Sequence, residues 1–231
     1  FLTSELSTIA RGASVDPVQF LSANGPAMLS LSALGVDTSV QQVADRREWR
    51  FDYELANAPQ GRIADGVGLD FRLPDGPSGT TTVAHVALNG QLIDSRRLNG
   101  SGQVRYRVDL PAQVQGLNNE IAVALQRQRE DGGCEISQQR YPVQLASDSA
   151  LLFDGAHEGR GFTGLPERFA DGLDVRLPDM MSAQQRLIVA RVTAEALALF
   201  APADTRLSYQ FVPTDNGQSE PVQRPFLAIN N

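Results

Sequence analysis

Two histidines, His85 and His157, are the only side chains in this sequence that ordinarily titrate near neutrality, and they fall in different elements. Neither has a serine, cysteine or carboxylate at a recognisable catalytic offset, and no Gly-x-Ser-x-Gly elbow, His-Glu-x-x-His helix or phosphate-binding loop occurs. A glycosidase would need two carboxylates flanking the scissile bond. Asp52, Glu54, Asp94, Asp109 and Glu120 are candidates on strand faces, but acids on a sheet surface are usually only solvated. The reading is therefore of a chain without catalytic, cofactor or metal chemistry. The faces of these strands opposite the core also carry a mixture of donors and acceptors of the kind that sugar hydroxyls can bond. Arg50, Asp52, His85, Arg105, Arg107 and Gln126 fall opposite the apolar phase of their strands and supply that mixture. Tyr53 joins them as a candidate stacking platform, whereas Trp49, Phe51 and Tyr106 read as core.

The elements that must hold these residues are strands. Thr81 to Leu88 runs up to Asn89-Gly90, the strongest short hairpin signal, and Gln91 to Leu98 returns to a second Asn99-Gly100. Gln103 to Leu110 then alternates, with Val104, Tyr106, Val108 and Leu110 on one face and Arg105, Arg107 and Asp109 on the other. Ile121, Val123 and Leu125 repeat the pattern, and Trp49 to Leu55 carries it earlier in the chain. Gly68 to Leu73, Tyr141 to Leu145 and Ala150 to Phe153 read as further strands. Short strands joined by Gly, Asn and Pro turns predict a mainly β fold, an antiparallel jelly-roll-like β-sandwich over residues 25–153.

Partial α/β segments flank it. Leu2, Leu6 and Ile9 at helical spacing predict a short helix over 1–12, with a linker to residue 24. From residue 156 to 231 the order is strand, helix, strand, strand. The helix opens at Ser182 with Gln185 in capping-box spacing and carries Ile188, Val192, Ala196 and Leu199 as its expected packing stripe. Gly68 to Asp75 and Gly172 to Asp179 are nearly the same octet, which reads as two similar strand exits rather than a repeat.

The 231 residues carry a net charge of −7 with every basic residue an arginine, which argues against nucleic acid as the main partner and for a neutral one. No run of eighteen apolar residues predicts a membrane span, and the start at Phe1 reads as a piece of something longer. The lone Cys134 excludes an internal disulfide.

Leu34-Gly35-Val36, the Trp49 strand, His85-Val86-Ala87-Leu88-Asn89-Gly90-Gln91, Asn119-Glu120-Ile121, Cys134 in the following loop and Ser149-Ala150-Leu151-Leu152-Phe153 together resemble the periplasmic BcsB subunit of bacterial cellulose synthase. Gly161-Phe162-Thr163-Gly164-Leu165-Pro166, then Val175 to Asp179 and the Ser182 helix, are similar to the start of that family's second flavodoxin-like α/β domain. The resemblance implies a non-catalytic subunit that supports the membrane glycosyltransferase, guides a β-1,4-glucan weakly, and is held at the inner membrane by a segment outside this chain. It implies no flavin, since no phosphate-binding loop is present, and it leaves self-association open. The readings weighed against it are a hydrolase or esterase on a jelly-roll fold and a structural spacer.

Overall fold

A computed structural model describes residues 27–75, 79–98, 101–129, 140–155, 159–178, 181–201, 205–212 and 225–228. The expected helix over 1–12 and its linker, His157, Cys134 and the Asn99-Gly100 turn lie outside the described residues.

Two antiparallel sheets form the sandwich. The first has the order β3 (Arg46–Glu54), β8 (Asn118–Arg129), β5 (Thr80–Leu88), β6 (Gln91–Leu98). Its register sets Trp49 opposite Val123, and Val123 opposite Val86. The second is built about β4 (Gly66–Leu73), which pairs along its whole length with β7 (Gly102–Asp109). Along its other side the first half of β4 pairs with β10 (Ala150–Leu152), which carries β1 (Met28–Ser30). The last part pairs with β9 (Tyr141–Leu145), which carries β2 (Gln41–Val43).

Strict alternation explains why these strands face as they do. On β3, Trp49, Phe51 and Tyr53 are buried while Arg50, Asp52 and Glu54 are exposed, because the side-chain period of a strand is two. The inner faces meet in one core that includes Phe71, Leu69, Leu88, Ile121, Leu125, Leu145 and Leu151. Full burial of each such side chain stabilises by about 1.5–3 kcal/mol. Trp49, Phe71 and Tyr106 run through this layer with successive ring centroids 6.2 Å apart. The Asn89-Gly90 turn has φ of 50° and 78°. Both central residues are left-handed, as a two-residue turn matched to strand twist requires.

A smaller α/β unit follows. The short helix α1 (Leu165–Phe169) leads to β11 (Leu173–Pro178), which lies between β12 (Leu207–Val212) and β13 (Phe226–Ala228) and is parallel to both. A parallel pair needs a crossover, and α2 (Ala183–Leu197) supplies it between β11 and β12. Ser182 Oγ accepts from Gln185 N at 3.3 Å and Gln185 Oε1 accepts from Ser182 N at 2.9 Å, closing the expected capping box.

The packing stripe of α2 differs from expectation. Ile188, Val192 and Leu199 are 55, 57 and 61% exposed, whereas Thr193 and Leu197 are buried and Val189 packs against the core formed by Leu173, Val175, Leu177, Met181 and Leu197. The two stripes are one residue apart, about 100° around the helix. Apolar residues occur on both faces, so periodicity alone does not choose the one that meets the sheet. No helix among the described residues is long and apolar enough to cross a membrane.

The two units touch where Gly61 meets α1. Gly61 has φ of +65°, and a Cβ there would lie 2.3 Å from the Pro166 carbonyl carbon. Arg62 secures the junction, donating to the Gly155 carbonyl at 2.9 Å and lying 3.7 Å from the Glu167 carboxylate.

Candidate functional site

Residues directly opposite one another in paired strands share a face, so the register of the first sheet assembles its outer surface. Arg50, Ala122 and Ala87 form one cross-strand row. Glu48, Ala124 and His85 form the next, and Asp52 lies opposite Glu120. Gln126 follows on β8, opposite Arg46 and Val83. The two middle strands carry the small Ala87, Ala122 and Ala124 on this face, together with Glu120, Gln126 and His85. Its β3 edge is long and polar, with Arg46, Glu48, Arg50 and Asp52, and its β6 edge is mixed, with Ser95, Arg97 and the exposed Leu92 opposite Ala87. The outcome is a shallow trough running along the strands.

Charge is fixed along the β3 rim. Glu48 Oε1 and Oε2 accept from Arg50 Nε and Arg46 at 2.5 Å each, and Arg50 also reaches Glu120 Oε1 at 3.1 Å. Partial burial raises the Glu48 carboxyl, but hydrogen bonds from Arg50 and Arg46 outweigh it and hold the group below its ordinary value. On the opposite side His85 Nδ1 lies 3.0 Å from Ser95 Oγ. Of the sequence-predicted residues, this face brings together Arg50, Asp52, His85 and Gln126.

Arg105 and Arg107 do not join them. Both lie on β7, on the outer face of the second sheet, so the expectation of one surface holding all six polar residues is corrected. Alternation reports which face of a strand a residue occupies, but not which sheet the strand enters. Their donors are already engaged. Arg105 contacts Asp70 at 2.6 Å and Asp148 at 3.2 Å. Arg107 contacts Asp65 at 2.8 Å, Asp109 at 3.1 Å and Asp154 at 3.5 Å. Hydrogen bonding to Asp70 and Asp65 raises each guanidinium above its ordinary value. Asp65 also accepts from the backbone N–H groups of Asp154 and Gly155 at 3.1 and 2.8 Å, so this ladder ties the sandwich exit to its sheet.

Tyr53 is likewise corrected as a platform. It is 3% exposed, and its hydroxyl donates to Gln115 Oε1. Gln115 Nε2 donates in turn to the Ala64 and Leu110 carbonyls at 2.7 and 3.3 Å. Asn89 closes the same end of the sandwich, donating to the Val114 carbonyl at 2.8 Å and accepting from Glu120 N at 2.9 Å. Sequence reasoning missed Gln115, a turn residue without periodicity, and Asn119, whose inward place is signalled only by its phase with Ile121 and Val123 on β8. It also missed a polar layer at the opposite end, where Asp45, Arg47, Arg127 and Tyr141 face inward. A signal for it exists, since Asp45 and Arg47 continue the phase of Trp49 and Phe51. Among the described residues no group of three or more His, Cys, Asp or Glu could hold a metal ion.

No family model matches the chain and no curated protein matches it. Several solved structures are similar to part of it. The catalytic domain of Clostridium perfringens ZmpB with its two CBM51 domains is 12% identical, covering 63% of this chain and 13% of that one at a TM-score of 0.31. TmCBM27, a carbohydrate-binding module described as recognising mannan, is 10% identical over 58% of this chain and 87% of that one, at 0.34. An acetyl xylan esterase from the rumen bacterium Butyrivibrio proteoclasticus is 12% identical over 80% of this chain and 49% of that one, at 0.31. This chain thus spans 13% of the first structure's length and about half of the esterase's.

Proposed function

We propose that the chain is a non-catalytic carbohydrate-binding sandwich whose first sheet guides a neutral β-linked glucan along the trough between β3 and β6. The observation that carries this reading is the register itself. It sets small side chains on the middle strands of an exposed sheet, with mixed donors and acceptors beside and between them. Arg50 and Asp52 on the β3 rim, with Gln126 on β8 and His85 on β5 between the rims, offer hydroxyl-binding groups. The ladder of Arg105 and Arg107 on the other sheet serves the fold instead.

The motif resemblance supports placing this sandwich in a periplasmic subunit of a bacterial cellulose synthase. Its partners are then the membrane glycosyltransferase and the growing β-1,4-glucan, and its anchor lies outside this chain. Binding is expected to be weak. Each hydrogen bond exchanges water for protein at a net gain of about 1 kcal/mol before ordering costs. With Tyr53 buried, no aromatic among the trough residues adds stacking. A Kd of roughly millimolar or poorer follows, which suits a surface that a polymer slides along. An uncharged ligand also makes the affinity insensitive to salt, unlike binding to a polyanion.

Titration of cello-oligosaccharides into the isotope-labelled chain tests the proposal. Backbone amide shifts on β3, β8 and β5 that Arg50→Ala and His85→Ala weaken are the expected result. Silence at tens of millimolar ligand would leave the spacer reading, and release of shorter sugars would make the chain a hydrolase.

A further inference from the structure

The two ends of the sandwich treat their buried polar groups differently. At the Asn89 end, the polar side chains of Tyr53, Asn89, Gln115 and Asn119 are bonded to one another and to backbone. At the opposite end the chain crosses from β2 in the second sheet to β3 in the first, and the inner layer turns polar. Asp45, Arg47 and Trp49 enter from that crossing, Arg127 from β8 and Tyr141 from β9. They form a group. The Arg47 guanidinium lies 5.8 Å from the Trp49 ring centroid, and that of Arg127 4.4 Å from the Tyr141 ring centroid. The Asp45 carbonyl accepts from Arg127 N at 2.9 Å. Trp49 and Tyr141 are only 3 and 8% exposed. Yet Asp45 Oδ1, Arg47 Nε, Trp49 Nε1 and the Tyr141 hydroxyl are all buried without a hydrogen-bond partner.

Buried polar atoms without partners are rare in folded proteins, and each costs about 1–3 kcal/mol unless something satisfies it. Four in one layer, three from the β2–β3 crossing and one from β9, point to a shared occupant. Their chemistry restricts it. Arg47 Nε and Trp49 Nε1 only donate, ionised Asp45 only accepts, and the Tyr141 hydroxyl does both. An anion would meet the Asp45 carboxylate and a cation the Arg47 guanidinium, whereas vicinal hydroxyls donate and accept together.

We infer that this end of the sandwich is a second saccharide site, which takes the terminal ring of a neutral sugar between the two sheets, hydrogen-bonded by Asp45, Arg47, Trp49 and Tyr141. The inference rests on the carbohydrate reading given above but uses none of the trough residues. It gives the module one surface for the length of a chain and a separate group of side chains for its end.

Trp49 is the only tryptophan in the sequence, so its indole N–H gives a single unambiguous NMR resonance within this group. D-glucose and cellobiose titrated into the full chain should shift it saturably. Tyr141→Phe, which keeps the ring beneath Arg127 and removes only the hydroxyl, should weaken that titration several-fold, as should Asp45→Asn. Arg50→Ala in the trough should leave it unchanged. Trough amides that respond while the indole does not would overturn the end site alone, and silence in both would overturn the carbohydrate reading with it. An indole titration unchanged in both Tyr141→Phe and Asp45→Asn would also overturn the inference.

Discussion

The Tyr53 hydroxyl and the Gln115 amide form one buried chain of hydrogen bonds, so the environment that removes Tyr53 from ligand contact also governs its ionisation. Burial raises its pKa above the ordinary 10.0, and Tyr106, Tyr141 and Tyr209 are raised in the same direction with burial as the leading cause. In the unfolded chain these phenols ionise near pH 10, whereas in the folded chain they stay neutral to higher pH. The unfolded state therefore binds fewer protons above pH 10, and stability falls as pH rises. The stabilisation is complete below the unfolded value and is lost as pH climbs towards the folded one. Phenolate absorbance is expected to rise together with unfolding in a cooperative step, not as a gradual titration of a folded chain. Tyr53→Phe should cost about 1–3 kcal/mol near neutrality, because Gln115 Oε1 loses its donor, yet lose less further stability in alkali than the parent. Part of this was legible in the sequence. Alternation puts Tyr53 in phase with Trp49 and Phe51, and the strand phase is a better guide to its place than its capacity to stack on sugars. The saturation of Arg105 and Arg107 was not legible, because Asp65, Asp70, Asp148 and Asp154 are brought to β7 from distant parts of the chain.

The β5–β6 hairpin was the element most legible in advance, since a turn with both central residues at positive φ selects Asn-Gly locally. What Asn89 does beyond the turn depends on tertiary structure. Its side chain donates to Val114 and Asn119 and accepts from Glu120 N, fastening the hairpin to the start of β8. The two roles separate by mutation. Asn89→Gly keeps the left-handed backbone and removes only the bonds, whereas Asn89→Ala holds at φ of 50° a residue without asparagine's tolerance of that region, which costs roughly a further 1–2 kcal/mol relative to glycine. Both variants are expected to lower the denaturant midpoint with unchanged slope, Asn89→Ala by more. Equal losses would mean that the turn conformation contributes nothing beyond the bonds. Helix α2 shows the converse limit. Its cap is written in Ser182 and Gln185, but its packed face is not, because Val189, Thr193 and Leu197 compete with an equally apolar neighbouring stripe that the structure leaves exposed.

The sandwich and the α/β unit contain nearly the same octet, Gly68 to Asp75 and Gly172 to Asp179, yet β4 pairs only with antiparallel neighbours and β11 only with parallel ones. Local sequence settled that each is a strand, and the connections around it settled the pairing. The α2 crossover brings β12 back parallel to β11, whereas β4 takes its antiparallel partners β7, β9 and β10 from later in the chain, after the connection through the other sheet. The same division sets how the molecule should unfold. The sandwich core draws on both sheets across the span from Leu29 to Phe153, whereas the α/β core consists of Leu173, Val175, Leu177, Met181 and Leu197 with a few partly buried neighbours. A core so small offsets little of the chain entropy of its own strands and helix. Its attachment through Gly61, Arg62 and Glu167 is narrow. Two transitions are therefore expected in denaturant, with the α/β unit lost first. Each has its own probe, since α2 is the longest helix among the described residues and Trp49 is the only tryptophan, buried at 3% exposure in the sandwich. Circular dichroism at the helical band should fall at lower denaturant than the change in Trp49 fluorescence. Glu167→Ala at the junction should shift only the first transition. Superimposable curves from the two probes would mean that the junction couples the units into one cooperative fold.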